Sequence, residues 1–170
     1  MELLLDRLVS ACDPSRGLLS SEHFQMGYVT NDMAKAEEFF RKRFGVKEFR
    51  PTEGDLDGGG RISVRSVWIG MVMYEIICAT GPGSEIYSEV APTGDFSIRL
   101  HHLGFLVPDE AAWEALEKAI VRDGWTVRHR SDHPGYVRAL YVDVPELGHY
   151  LEYVLPAPAL LERFRATPLV

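Results

Sequence analysis

The chain has 170 residues, 46% of them hydrophobic and 25% charged, with a formal net charge of −7. That is the composition of a globular protein with enough core for one compact domain or two small modules sharing one, and it excludes a disordered or fibrous chain. Lys and Arg are scattered without a basic run, which argues against nucleic acid or an anionic membrane surface and leaves a small molecule as the expected partner.

In chain order, residues 1–20 are expected to form a short helical extension with an irregular exit at Asp13-Pro14. Its Leu3–Leu5 run is flanked by Glu2 and Asp6 and lacks the basic start and long apolar stretch of a signal peptide. No segment approaches the ~18 apolar residues of a membrane span. The two cysteines, Cys12 and Cys78, are too few for a disulfide framework or a thiolate metal site and fit a reducing compartment. A soluble cytoplasmic protein is expected.

The segment FQMGYVTND (24–32) reads as a strand ending in a helix N-cap, followed by a helix over Met33–Phe44 that stops at Gly45. Strand material follows in RISVRSVWIG and in VMYEIIC, with a turn at the glycine cluster Gly58–Gly60. Residues 81–98, rich in Gly, Pro and Ser, form a connector. Then the pattern recurs: HHLGFLVPD (101–109), a helix over Glu110–Asp123 stopped by Gly124, strands in TVRHR and YVRALYVDV, a turn at Pro145–Gly148, and HYLEYVL (149–155). Residues 156–170 form a Pro-bearing tail.

The recurrence has a fixed offset. His102 lies 77 residues after Gln25, and Glu152 the same 77 after Glu75; Gly27 and Gly104, Tyr28 and Phe105, Asp32 and Asp109 match at that spacing too. The expected fold is therefore α+β: two tandem βαβββ modules, residues 21–80 and 99–155, forming a curved mixed sheet around a central metal or ligand site.

Alternate side chains of a strand share a face, so Gln25, Gly27 and Val29 point one way in the first module, and His102, Gly104 and Leu106 do so in the second. Glu75 and Glu152 each sit in a run of large apolar residues. A carboxylate there needs a partner, either a buried Arg or Lys, hydrogen-bond donors or a metal cation. Four potential ligands at equivalent positions of a duplicated unit converge if the copies pack face to face. One amide oxygen, one imidazole and two carboxylates suit a single divalent ion (Ni, Co, Zn, Mn, Fe or Mg) with open water positions. Such a neutral centre polarises a carbonyl oxygen while a carboxylate takes the neighbouring proton.

Other residues fall around this set. Arg65 and Arg138 are candidates to reach an anionic substrate or to neutralise Glu75 and Glu152. The polar segment 130–136, with His133 and Tyr136, is a candidate substrate-contact loop. By strand parity His101 should face away from His102, and His149 away from Glu152. Tyr74, Tyr150 and Tyr153 read as core aromatics.

Over about residues 23–155, QMGYVTNDMAKAEEFFRKRFG, MYEII, LHHLGFLVPD and ELGHYLEYV resemble the vicinal oxygen chelate superfamily, which includes glyoxalase I, methylmalonyl-CoA epimerase, extradiol dioxygenases and bleomycin-resistance proteins. The resemblance implies paired βαβββ modules with a metal held by Gln25, Glu75, His102 and Glu152, and sites often built by pairing modules, hence a homodimer. The ligand order is similar to that of glyoxalase I, where the last Glu is also a catalytic base. However, Val29 stands where glyoxalase I carries an arginine for the glutathione carboxylate, and Ala79 where it carries an asparagine. The connector SEIYSEV followed by RLHHLGF resembles the epimerase-like branch instead. The expected activity is a metal-dependent isomerase, epimerase or lyase that moves a proton α to a carbonyl, on an acyl-CoA or thiol conjugate among the candidates, with Glu152 or Glu75 as base. The alternatives are a metal-free binding protein of the bleomycin-resistance kind and a ring-cleaving iron dioxygenase, which needs two histidines and one carboxylate.

Overall fold

Each repeat folds as one strand, one helix and three strands. A computed structural model of the protein describes residues 12–91 and 93–170. The first module comprises β1 (Glu22–Thr30), α1 (Met33–Phe44), β2 (Arg50–Asp55), β3 (Arg61–Ile69) and β4 (Val72–Thr80). A short connector helix, α2 (Glu85–Ser88), leads to β5 (Ile98–Leu106), α3 (Glu110–Asp123), β6 (Thr126–His133), β7 (Val137–Asp143) and β8 (Tyr150–Pro156), and the chain ends after α4 (Pro158–Arg165). The strands form a single sheet in the order β2-β3-β4-β1-β5-β8-β7-β6.

Local chemistry places the two long helices where the sequence predicts them. Asp32 accepts from the Lys35 amide and Asp109 from the Ala112 amide at the N-termini, and Gly45 and Gly124 close the C-termini in the left-handed conformation that favours glycine. The seam between modules is the antiparallel β1–β5 pair. β1 runs parallel to β4 and β5 runs parallel to β8, so the two halves repeat each other across the seam.

The seam carries two bulges. Pairing slips between His23 and Gln25, leaving Phe24 as the extra residue of β1, and between Gly27 and Tyr28, leaving His101 as the extra residue of β5. Phe24 and His101 are themselves 77 residues apart. A bulge breaks strict alternation and re-aims side chains. Phe24 packs with Met73, Ala139, Val154 and Leu160, and His101 against Tyr141 and Tyr150, so both bulged residues lie on the same face as the polar residues that follow them.

The outer face is covered by α1 over the first module and α3 over the second. Ala36 and Phe40 pack there on Val67 and Ile76, and Trp113, Leu116 and Ile120 on Leu140, Val142 and Tyr153. The inner face is covered by segments outside the repeat. Ile86 and Tyr87 of α2 close one end against Val29, Val64, Ile77, Tyr141 and Tyr150, while Leu160 and Phe164 of α4 close the other.

Several expectations need correction. The segment 156–170 is a helix begun by Pro158 at its first turn, then a strand-like pairing of Leu169 with Trp68, and it is anchored by Trp68 Nε1 donating to the Phe164 carbonyl at 2.9 Å. Of the N-terminal extension, residues 1–11 lie outside the described residues; beyond them Pro14–Arg16 make one 3-10 turn capped by Asp13. β2, an edge strand containing Pro51 and Gly54, is absent from the sequence reading because it lacks apolar alternation. Residues 130–133 belong to β6, which leaves only a short hairpin turn through Gly135. Among the described residues no helix is long and apolar enough to cross a membrane.

The packing of α4 generates a prediction. Leu160 is buried in the inner-face core, so Leu160→Ala should lower unfolding free energy by about 2–3 kcal/mol in urea titration. A loss within error would mean that α4 is not part of the cooperative fold.

Candidate metal centre and active site

Glycine creates the space in which the polar residues meet. Gly27 pairs with His102 across the seam and Gln25 with Gly104. A Cβ on Gly27 would lie 2.0 Å from Cε1 of His102, and one on Gly104 would lie 2.8 Å from Oε1 of Gln25. Each module thus supplies the bare backbone over which the other lays its side chain. Glu75 neighbours Gly27 in β4, and Glu152 neighbours Gly104 in β8, so the carboxylates enter from opposite sides of the seam.

The structure brings Glu75, His102 and Glu152 into contact, with Gln25 hydrogen-bonded to Glu75. His102 Nε2 stands 3.2 Å from a Glu152 oxygen and 3.7 Å from a Glu75 oxygen. Contact is not the same as a bond here: neither approach is aligned as a hydrogen bond, and among the described residues Nε2 is buried without a hydrogen-bond partner. All four residues come from one chain.

The same burial sets the electrostatics. Burial raises the Glu75 carboxyl to about 7, with nearby Glu152 adding to the rise and His102 opposing it. Burial also pushes Glu152 up, but His102 and a hydrogen bond from Tyr141 outweigh it and hold that carboxyl below its ordinary range. For His102, burial disfavours the cation, yet Glu152 and Glu75 together raise its affinity for a proton. Burial, then the neighbouring His102, pushes His101 down to about 3, which keeps it neutral.

The donor set fits a divalent cation. Among the described residues no three His, Cys, Asp or Glu side chains are gathered tightly enough to hold an ion as they stand, so Glu75 and Glu152 would have to shift to admit one. The separations are nonetheless close to those of a coordination shell. Donors each ~2.1 Å from one ion and ~90–120° apart stand ~3.0–3.6 Å from one another. An orphaned imidazole nitrogen facing two carboxylates is the arrangement a cation completes.

The remaining candidates lie elsewhere. Arg65 is on the outer face, where it pairs with Glu37 of α1 and Glu53 of β2, and Arg138 pairs with Glu110 and Asp132 and lies over the Trp113 ring. Neither neutralises Glu75 or Glu152, because each is on the other parity of its strand: Ser66, not Arg65, pairs with Glu75, and Tyr141, not Arg138, pairs with Glu152. His133 and Tyr136 occupy the exposed β6–β7 turn, joined by a backbone hydrogen bond of 2.9 Å, away from the cluster. The surface cavities are also outside it. One of about 410 Å³ is lined by Tyr28, Phe39, Phe40, Phe44, Tyr74 and Phe96 under α1. Another of about 480 Å³ lies beside Trp113, Arg130 and Arg138, whose charges are paired. By contrast, the inner cluster holds Nε2 of His102, a buried polar atom without a hydrogen-bond partner among the described residues.

One residue at the site is misplaced by the sequence reading and two are absent from it. His101 shares the inner face with His102, contrary to simple parity, because of the β5 bulge. Tyr141 hydrogen-bonds Glu152, and Tyr87 of α2 hydrogen-bonds Tyr141. The turn Pro145–Gly148 held a usable signal: folding the chain about its centre sets Tyr141 opposite Glu152.

Comparison with known proteins agrees with this architecture. The chain belongs to the Glyoxalase/Bleomycin resistance protein/Dioxygenase superfamily, whose family model matches residues 22–146. Among solved structures it is similar to methylmalonyl-CoA epimerase from Mycobacterium tuberculosis, with TM-score 0.58 and 18% identity, covering 86% of this chain and 94% of that one. It is likewise similar to the Streptomyces coelicolor methylmalonyl-CoA epimerase in complex with 2-nitronate-propionyl-CoA, with TM-score 0.54 and 19% identity over 81% of this chain and 98% of that one. A hypothetical protein from Bacillus halodurans gives TM-score 0.55 at 12% identity, over 80% of this chain and 94% of that one. At these identities the likeness is one of fold. No curated protein gave a significant match.

Two outcomes are expected. Gly27→Ala should eject the His102 ring and destabilise the protein by about 1–3 kcal/mol; a crystal structure with His102 unmoved would refute the space argument. For the metal-free protein, a carboxyl whose folded value (about 7) exceeds its ordinary 4.5 stabilises fully below 4.5 and loses that contribution as pH rises through 7. The melting temperature of chelator-treated protein should therefore fall over that window, and Glu75→Gln, which mimics the protonated form, should flatten the fall. An unchanged pH profile in the variant would contradict the burial of Glu75.

Proposed function

We propose that this protein is a metal-dependent acid–base enzyme that moves the proton α to the carbonyl of a small acyl compound, in the manner of an epimerase. The observation that carries this reading is that Glu75 and Glu152 reach His102 Nε2 from opposite sides of the β1–β5 seam, on equivalent strands of the two modules. Inverting a carbon centre requires removing a proton on one face and returning one on the other, and two bases related by a two-fold repeat supply that geometry. The fold shared with methylmalonyl-CoA epimerases is consistent with it, and makes acyl-CoA thioesters the first substrates to test.

Gln25, Glu75, His102 and Glu152 would hold a divalent ion, which when bound polarises a carbonyl oxygen as a Lewis acid. The chain's own residues do the rest. Tyr141 and His102 pin Glu152, while Glu75 has, among the described residues, Gln25 alone as a hydrogen-bond partner and is the freer carboxylate to swing toward a proton. Apolar side chains of α2 and α4 border the inner face on either side and keep water from the reacting carbon. A ring-cleaving dioxygenase fits less well, because both nitrogens of His101, the second histidine, are already engaged with His102 and the Ile86 carbonyl. The mutual contacts of Glu75, His102 and Glu152 favour a second reading, a metal-free binding protein, in which the cluster is satisfied by its own charges.

The test is proton exchange in D2O. Protein supplied with Co²⁺ should exchange the α-proton of methylmalonyl-CoA or a related thioester and interconvert its enantiomers. Glu75→Gln and Glu152→Gln should each slow inversion by about 10²-fold or more. Absence of exchange across α-carbonyl thioesters would favour the binding protein instead.

A further inference from the structure

We propose that His101 is a positioning residue that fixes the tautomer of His102, so that the Nε2 lone pair of His102 faces Glu75 and Glu152. The inference rests on reading Gln25, Glu75, His102 and Glu152 as a cation site, and extends that site to a backbone carbonyl of the connector helix.

With both rings neutral, the hydrogen-bond chain has one consistent assignment. His101 Nε2 lies 3.0 Å from the Ile86 carbonyl oxygen, and His101 Nδ1 lies 2.9 Å from His102 Nδ1. A carbonyl oxygen can only accept, so His101 Nε2 carries hydrogen. His101 is fully buried between the rings of Tyr87, Tyr141 and Tyr150, an environment that disfavours a second proton on its ring. Its Nδ1 is therefore an acceptor, and the short Nδ1–Nδ1 contact requires His102 Nδ1 to donate. A neutral His102 with hydrogen on Nδ1 has none on Nε2, the atom that stands buried beside the two carboxylates without a hydrogen-bond partner among the described residues. The general rule is that the partner of one ring nitrogen decides what the other can do, and metal-ligating histidines are oriented in this way.

The bulge makes the contact possible. Without the extra residue in β5, His101 would point to the α3 side of the sheet, and nothing would reach His102 Nδ1 from the connector. The other module serves as an internal control. At the equivalent bulge Phe24 precedes Gln25 and packs on Phe164 of α4, making no hydrogen bond. An amide has no tautomer to fix, whereas an imidazole does.

The decisive experiment is two-bond ¹⁵N–¹H correlation NMR of the metal-free protein, with the pH raised until the ring signals of both histidines stop shifting, so that both rings are neutral. The expected result is hydrogen on Nε2 of His101 and on Nδ1 of His102; a His102 with its hydrogen on Nε2 would overturn the proposal. In His101→Phe the single tautomer should give way to a mixture and Co²⁺ affinity should fall about 10–100-fold. His101→Asn, which keeps an acceptor near the place of Nδ1, should restore much of both. An unchanged tautomer and affinity in folded His101→Phe would equally refute the role, and if that variant fails to fold, the wild-type spectrum alone decides. Failure of wild-type protein to bind Co²⁺ would count against the cation site itself, while the tautomer is read without metal and stands or falls separately.

Discussion

The structure depends on a reciprocal close approach at the β1–β5 seam. Gly27 lies beneath the His102 ring, and Gly104 beneath the Gln25 side chain. Because Gln25 and His102 fold over the seam, a side chain at Gly104 or Gly27 would collide with them. Duplication of a Gln/His-x-Gly pattern supplies the glycine twice, and it brings the carboxylates of β4 and β8 within reach of the same imidazole. The helices, the outer cores and the capping aspartates serve to hold this seam in register.

Burial then turns geometry into electrostatic tension. Two carboxylates, an imidazole and an amide withdrawn from water repel and attract within a few ångströms, and the resulting protonation pattern is asymmetric: Glu152 is held ionised by His102 and Tyr141, while Glu75 is pushed toward its neutral form. Segments outside the repeat deepen that burial. α2 and α4 cover the two ends of the inner face, and each also meets a bulged residue, α2 through the Ile86 carbonyl and α4 through the Phe164 ring. The additions to the duplicated core are therefore tied to the site through its most irregular backbone.

Much of this was legible in the sequence, and the reasons differ residue by residue. The 77-residue offset linked Gln25 to His102 and Glu75 to Glu152 because duplication preserves spacing, and Asp32, Gly45, Asp109 and Gly124 marked the helix ends because their chemistry is local. The bulges at Phe24 and His101 were not legible, although Gly104 and Gly27 stand opposite them, since a bulge is a property of two strands together. Simple alternation therefore misplaced His101. Arg65 and Arg138 were misjudged for the opposite reason: alternation does hold there and sends both to the outer face. β2 lacked the apolar rhythm of a strand because an edge strand buries little, and α4 escaped notice because a Pro-rich tail reads as irregular until Leu160 and Phe164 are seen against Phe24.

The central claim is that four side chains from two repeats converge on one cation-sized centre within a single chain. It is tested most directly by elemental analysis of protein purified without chelator or affinity metal and then offered Co²⁺ or Ni²⁺. The account predicts one ion per chain, lost in His102→Ala and in the Glu75→Gln, Glu152→Gln double variant. No bound ion in the wild type, or an ion retained in both variants, would contradict it.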